Sequence, residues 1–312
     1  MASRTYILGT RTSPLAMWQA QFVQWLLEEQ WPDDHFSIAG IKTKGDDLNI
    51  SISKEGGKGL YVKELEQALL DKRVDFCVHS MKDFPVMPID GCALAAVVER
   101  GEVRDALVSR DKIPLAEFKS SMKIGTSSLR RKALLLSQTN PAEVVEIRGN
   151  IETRVKKVRD GEMDGVILAA AGLLRLGLEN EITEYYDARS FVPAPGQGAI
   201  AVECRTGDDD LRLKLRRIHH DESGQAVAAE RAFLRSLGGN CSLPLGAWCE
   251  MEQFQMRLYG FLADPLGNQV MMDCSVGPIG YADELGEHLG HRFLSCGAQG
   301  ILKKINPAPS SL

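Results

Sequence analysis

From residue 5 to about residue 200 the chain alternates short β-rich runs with stretches of helical period, and this alternation restricts the possible folds more than any other feature. Tyr6-Ile7-Leu8-Gly9-Thr10-Arg11 reads as a strand, after which Ser13 caps a helix with Pro14 at its first position. Leu15, Trp18, Phe22 and Leu26 follow at spacings of three and four, which predicts that they form the buried face of that helix. Phe36 to Thr43 alternates as a strand, the polar, glycine-rich run Lys44 to Gly59 reads as a mobile loop, Tyr61 to Leu70 is helical, and Asp75 to Ser80 is a buried strand. After Arg100 the pattern restarts. Strands are expected at Ala106–Ser109, Lys123–Thr126, Val144–Ile147 and Gly165–Leu168, with helices opening after Ser128 and after an Asn150 cap. Such a chain predicts an α/β fold of doubly wound, mainly parallel sheets covered by helices, with ligand sites beyond the strand ends.

The Pro/Gly-rich run Val192-Pro193-Ala194-Pro195-Gly196-Gln197-Gly198 reads as a crossover or hinge, followed by a strand from Ala199 to Glu203. Beyond about residue 219 the pattern changes to a helix over Ser223–Leu237, a Gly238-Gly239-Asn240-Cys241 loop, hairpin strands around 246–263 and 269–276, and a last helix over roughly 281–296. That is the pattern of a small α+β domain, with an end at Pro307-Ala308-Pro309 that should fray. No internal repeat is visible. The N-terminal residues lack the apolar core of a signal peptide, and no stretch reaches about 18 apolar residues, so neither secretion nor a membrane span is expected. The 7 cysteines are odd in number and form no C-x-x-C pair, which argues against a disulfide framework or a zinc ribbon and for a reducing cytoplasm.

The formal charge of −5 argues against a general nucleic-acid binder. Its distribution is more informative. Residues 119–159 hold ten Lys and Arg against three acids, a balance of +7, which leaves −12 for the rest of the chain. Lys156, Lys157 and Arg159 read as a solvated helix face. Arg130 and Arg131 fall instead in the first turn of a helix, where cations oppose the helix dipole by a few tenths of a kcal/mol each. Gly125-Thr126-Ser127-Ser128 before them offers backbone N–H groups and hydroxyls to an anion. Arg148 at a strand end and Arg154 after the Asn150 cap repeat the pattern, and the preference for Arg points to carboxylates or phosphates held bidentately. This region reads as a site for a small polyanion.

Two further candidates carry chemistry. Asp83, in Val78-His79-Ser80-Met81-Lys82-Asp83-Phe84-Pro85, follows a buried strand, where an α/β fold displays its functional groups, although a plain loop cap fits the spacing equally well. His79 alone reads as a satisfied core histidine. Cys241 lies in a polar glycine-rich loop, while the other cysteines read as inert small hydrophobes. No Walker loop, dinucleotide fingerprint or nucleophile elbow is present.

Taken together, these motifs resemble the porphobilinogen deaminase (hydroxymethylbilane synthase) family. The resemblance runs in order through Arg11-Thr12-Ser13-Pro14-Leu15-Ala16, Lys58-Gly59-Leu60-Tyr61-Val62-Lys63-Glu64-Leu65-Glu66, Val78-His79-Ser80-Met81-Lys82-Asp83, Ile124-Gly125-Thr126-Ser127-Ser128-Leu129-Arg130-Arg131, Ile147-Arg148-Gly149-Asn150, Pro195-Gly196-Gln197-Gly198-Ala199 and Gly238-Gly239-Asn240-Cys241. It implies a transferase of haem (tetrapyrrole) biosynthesis that joins four porphobilinogen molecules head to tail, releasing ammonia at each step, and frees hydroxymethylbilane by hydrolysis. The implied cofactor is one dipyrromethane per chain, fixed by a thioether to Cys241. Two lobes like those of periplasmic binding proteins are implied, 1–98 with 193–218 and 99–192, followed by a cofactor-attachment domain, 219–312.

By the same resemblance Asp83 and Lys82 are catalytic, Asp83 stabilising the cationic azafulvene left by loss of ammonia. Arg130, Arg131, Ser128, Lys82 and Asp83 would hold the cofactor. Arg11, Ser13, Arg148, Arg154, Arg175, Gln197, Lys58 and Tyr61 would bind substrate, with Lys58 and Tyr61 at the edge of a lid. Tyr61 stands where many family members have Phe. The arginines are expected to line a wet cleft, so that replacing Arg131 or Arg148 should cost little stability. A monomer without metal, nucleic acid or membrane contact is implied. From the residues alone, a two-lobed anion-binding regulatory module and a phosphoribosyltransferase-like enzyme remain alternatives.

Overall fold

The computed structural model describes residues 4–43, 62–138, 142–239 and 243–305. The chain divides into two compact units, residues 1–101 with 198–224 and residues 102–197 with 225–312.

In the first unit the strands are β1 (Thr5–Arg11), β2 (His35–Ile41), β3 (Phe76–Ser80), β4 (Cys92–Val97) and β10 (Ile200–Arg205), in the sheet order β2-β1-β3-β10-β4. β1 runs parallel to β2 and β3, and β10 is antiparallel to both of its neighbours. Helix α1 (Pro14–Gln30) begins as its sequence dictates: Ser13 Oγ accepts the Ala16 N–H at 3.4 Å and Pro14 opens the first turn. Its buried stripe differs from the expected one, because Ala16, Gln19, Ala20, Val23 and Leu27 face inward. Small alanines let the helix lie close on the sheet. The bulkier Trp18, Phe22 and Trp25 stack on one another along the flank, with ring centroids 5.3 and 5.9 Å apart. One core, built on Leu8, Val23, Leu27, Phe36, Phe76 and Val202, includes Leu211 and Leu215 of helix α6 (Asp209–Arg216), an element the sequence did not announce. A second core, on Leu65, Ala68, Leu69, Cys77 and Cys92, sets helix α2 (Lys63–Leu70) against β3 and β4.

The second unit repeats the plan. Its strands are β5 (Asp105–Ser109), β6 (Lys123–Gly125), β7 (Glu143–Val145), β8 (Gly165–Ala169) and β9 (Glu184–Tyr185), in the order β7-β6-β8-β5-β9. β6 is parallel to β7 and β8, and β5 is the reversed strand. Each sheet thus has four strands running one way and one the other, and the reversed strand (β10 or β5) enters from the other unit. The mainly parallel α/β expectation holds, with those two strands as the exceptions. Helices α3 (Leu129–Ser137), α4 (Ile151–Arg159) and α5 (Ala170–Arg175) follow β6, β7 and β8.

A separate antiparallel meander, β11 (Leu245–Met251), β12 (Gln255–Ala263) and β13 (Val270–Pro278), packs with helices α7 (Asp221–Ser236), α8 (Ala282–Ser295) and α9 (Ala298–Ile305). The helix expected over roughly 281–296 is α8, and a further helix the sequence did not announce, α9, follows it after Gly297, whose φ of 101° is left-handed. Phe261 and Ala263 of β12 share a core with Leu107, Ile124, Ala133 and Leu134, so meander and second sheet are joined by apolar packing. Helix α8 approaches α7 so closely that a Cβ on Gly286 would collide with the Ala229 carbonyl. No described helix is long and apolar enough to cross a membrane.

Candidate active site

In the first unit the candidate residues gather at the carboxyl edge of the parallel strands. Arg11 ends β1 and Ser13 caps the helix that follows it. Met81-Lys82-Asp83 forms a single 3-10 turn directly after β3. The turn is anchored by Met81, which is buried and donates its N–H to the Ala199 carbonyl at 3.0 Å. Lys82 is half-buried and Asp83 is exposed, its carboxylate held by no described residue. That leaves Asp83 open to an incoming cation or N–H donor.

Behind the turn, His79 is buried and its Nε2 lies 2.9 Å from Oε2 of Glu203, which is also buried; its ring lies 5.3 Å from that of Phe84. The reading of His79 as a satisfied core histidine holds. Glu203 was not singled out from the sequence, yet a carboxylate inside Ile200-Ala201-Val202-Glu203-Cys204 is a signal, since such a strand tolerates a charge only when it is paired. Nearby Glu66 has its carboxyl pushed up, first by burial and then by Glu203.

The second unit assembles its candidates at the equivalent edge. Ser128 Oγ caps α3 through the Arg131 N–H at 3.4 Å, Thr126 Oγ1 accepts the Ser128 N–H at 3.2 Å, and Ser127 donates to the Ile147 carbonyl. Among the described residues, the N–H groups of Ser127, Leu129 and Arg130 remain open at this helix start. Arg130 and Arg131 are buried, at 3% and 7% exposure, which corrects the expectation of a wet lining for these two. Both turn onto Asp105, a fully buried residue. Arg130 Nη2 reaches Oδ2 at 2.8 Å, and Arg131 donates from Nε and Nη2 to Oδ1 at 3.1 and 2.7 Å.

Arg130 also donates to the Val192 carbonyl and Arg131 to that of Ile167, at 2.8 and 2.9 Å. Gln197 completes the cluster, giving its amide to the Val103 carbonyl at 2.7 Å and to Asp105 at 3.0 Å. Burial pushes the Asp105 carboxyl up, but the two guanidiniums outweigh it and hold it at about 2. Two cations around one anion leave this buried cluster with a net positive charge.

Arg148 follows β7 half-buried and pairs with Glu146 at 2.8 Å; Arg154, in the first turn of α4, donates Nε to the Gly149 carbonyl at 2.8 Å. Half-buried Arg175 ends α5, and burial pushes its guanidinium down to about 10. Ser128, Arg130, Arg131, Arg148, Arg154 and Arg175 therefore follow three adjacent parallel strands, β7, β6 and β8, at one sheet edge. Lys156 and Arg159 pair with Asp160 and Glu181 on the surface, as a solvated face requires. Lys58, Tyr61 and Cys241 lie outside the described residues, as does the whole run 44–59 expected as the lid.

Asp105 was missed by the sequence reading. Its partners Arg130, Arg131 and Gln197 stand 25 to 92 positions away, so only its charge at the head of a buried strand could have marked it.

A family model described as porphobilinogen deaminase, dipyrromethane cofactor binding domain, matches residues 6–213, and the C-terminal domain model of the same family matches 225–295. The chain belongs to the porphobilinogen deaminase family. The porphobilinogen deaminase of Chromobacterium violaceum is 43% identical over 304 residues, covering 97% of this chain and 98% of that protein. That of Syntrophotalea carbinolica is 41% identical over 313 residues, covering 100% and 99%. Among solved structures, the BenM effector binding domain with its effector benzoate overlaps 70% of this chain and 93% of that one, at 13% identity and a TM-score of 0.42.

The second unit fits the family's dipyrromethane cofactor in one respect the geometry itself provides. That cofactor carries several carboxylates, and the buried Arg130–Arg131–Asp105 cluster has one positive charge more than its own carboxylate neutralises, beside open N–H groups at the start of α3.

Proposed function

We propose that this chain is a transferase that deaminates porphobilinogen, condenses four molecules of it head to tail on a dipyrromethane primer attached to Cys241, and releases hydroxymethylbilane by hydrolysis. The observation that carries the reading is family membership over nearly the whole chain, with an exposed Asp83 carboxylate on a firmly anchored turn at a strand end. When bound, the dipyrromethane supplies the nucleophilic pyrrole end and the carboxylates by which it is held. Asp83 accepts hydrogen bonds from the incoming pyrrole N–H and stabilises the positive charge that develops there as the C–N bond to the departing ammonia breaks. Lys82, next in the turn, meets the acetate or propionate side chains. Arg130 and Arg131, already locked by Asp105, present fixed positive charge without reorganising. Ser128, Arg148, Arg154, Arg175 and Gln197, with Arg11 and Ser13 on the other sheet, bind the carboxylates of substrate and growing chain, and Lys58 and Tyr61 edge the lid.

The same reading divides the chain into three working domains, 1–98 with 193–218, 99–192 and 219–312. It places the enzyme in the cytoplasm as a monomer that needs no metal and binds neither nucleic acid nor membrane. Six free cysteines among the described residues, four of them buried, support a reducing compartment.

The test is turnover. The purified chain should consume porphobilinogen with release of ammonia and hydroxymethylbilane, and Asp83→Ala should lower kcat by about 100-fold or more, the scale of losing a positioned electrostatic group. Thermal unfolding should stay within about 0.5 kcal/mol of the parent, since the residue is exposed. A near-normal rate for Asp83→Ala would remove the role assigned to it.

A further inference from the structure

Outside the candidate active site, the first unit carries a cavity of about 570 Å3 between the edge strand β4 and helix α6, lined by Leu94, Ala95, Asp209, Arg212, Leu213, Arg216 and His219. None of these residues belongs to the chemistry described above. The volume lies in the range of sites for small ligands. Its floor is apolar, formed by half-buried Leu94 and Ala95 of the strand, and Leu213 stands beside it with 68% of its surface exposed.

The rim is cationic. Arg212 and Arg216 are one helical turn apart, a like-charged spacing that costs a few tenths of a kcal/mol in the absence of a shared anion. Among the described residues, the Arg212 guanidinium has long contacts only, 3.3 Å to Asp209 and 3.4 Å to the Thr206 carbonyl. The guanidinium of Arg216 has no hydrogen-bond or ion-pair partner among the described residues. His219 adds a fixed donor: its Nδ1 accepts the Val97 N–H at 3.0 Å, so the neutral ring carries its proton on Nε2. That Nε2 lies 3.7 Å from the Asp221 carboxylate, beyond hydrogen-bond reach. The Val97 bond fixes the ring's orientation, and the ring packs close on Gly224, where an added Cβ would stand 2.6 Å from Cε1 and Nε2. The one acid in the lining, Asp209, is 83% exposed in its side chain.

We propose that this cavity binds a small carboxylate with a compact apolar body, the carboxylate held by Arg212, Arg216 and His219 Nε2–H and the apolar body laid on Leu94, Ala95 and Leu213. Such a ligand rests against β4, whose last residue, Val97, is bonded on both sides, by His219 through its N–H and by the His220 N–H through its carbonyl. The site is separate from the catalytic reading and stands or falls without it.

Amide-resolved NMR titration of the isotope-labelled full-length chain tests this with three probes: 3-phenylpropionate, 3-phenylpropan-1-ol and inorganic phosphate. The carboxylate should give saturable shifts at Val97, Leu213, Arg216 and His219, and the alcohol and phosphate should bind at least about tenfold more weakly, the cost of one lost charge-assisted bond or of the apolar contact. The double variant Arg212→Gln, Arg216→Gln should raise the Kd for 3-phenylpropionate by about tenfold or more while leaving the amide spectrum of the second unit unchanged. The proposal is overturned if the carboxylate shifts only residues around 128–131, if the alcohol or phosphate binds as tightly, or if the double variant binds unchanged.

Discussion

Asp83 and Asp105 are both aspartates beside strand termini, and their surroundings give them opposite work. Asp83 ends a turn in the open, whereas Asp105 begins the reversed strand β5 and is fully buried between two guanidiniums. Because β5 runs against β8, pairing Asp105 with Ala169, the start of one strand meets the end of the other, and the carboxylate arrives where α3 delivers its arginines. Replacing Asp105 by Asn leaves two buried cations facing a neutral amide and should destabilise the fold by about 3–5 kcal/mol in urea unfolding. The pH dependence follows in sign. A carboxyl held at about 2, against an ordinary 3.8, contributes stability that is complete above about pH 4 and lost as pH falls toward 2, by about 2 kcal/mol. The acid limb of the stability curve should therefore flatten in Asp105→Asn. An unchanged limb would place the acid sensitivity in other groups. Arg131→Leu should likewise cost stability as well as binding, since its guanidinium is an interior partner.

At the scale of elements, the helix starts are set locally and are correspondingly testable. Asn150 Oδ1 accepts both the N–H and the Oγ1–H of Thr153, at 2.8 and 2.7 Å, so Asn150→Ala should lower stability by about 1 kcal/mol. It should also raise KM for porphobilinogen, because the same turn carries Arg154; an unchanged KM would separate the cap from the site. Ser13 and Asn150 were legible in the sequence as caps because capping spans three or four residues, whereas Ser128 was legible only as the start of its helix. The buried stripe of α1 was not, because hydrophobicity alone favours Trp18 and Phe22, whereas close packing on a sheet favours Ala16 and Ala20. α6 escaped notice because only Leu211 and Leu215 of its eight residues are buried. The shared order of the two sheets was invisible too, since it is a likeness of topology that leaves no repeat in the residues. Of the candidate site, Asp83 and the arginines could be read from motif and strand-end position, but the Asp105 cluster and the Glu203 partner of His79 exist only after distant strands have paired.

For the whole molecule, the charge separation seen in the sequence takes a physical form. Part of the +7 between residues 119 and 159 is surface pairing, as at Lys156 and Arg159, and part is the carboxyl edge of the second sheet, where buried arginines exceed their acid. A protein that is negative elsewhere and cationic at one sheet edge suits a substrate that gains carboxylates with every addition. The proposed function requires that this chain carry a primer of two condensed substrate units on Cys241. The most direct measurement is the intact mass of the denatured chain after expression in a haem-competent host, with a peptide map of the adduct. The expected mass exceeds that of the bare polypeptide by two condensed pyrrole units, located on the peptide containing Cys241 and absent from Cys241→Ser. A bare-chain mass from an active preparation, or an adduct that persists in Cys241→Ser, would contradict it.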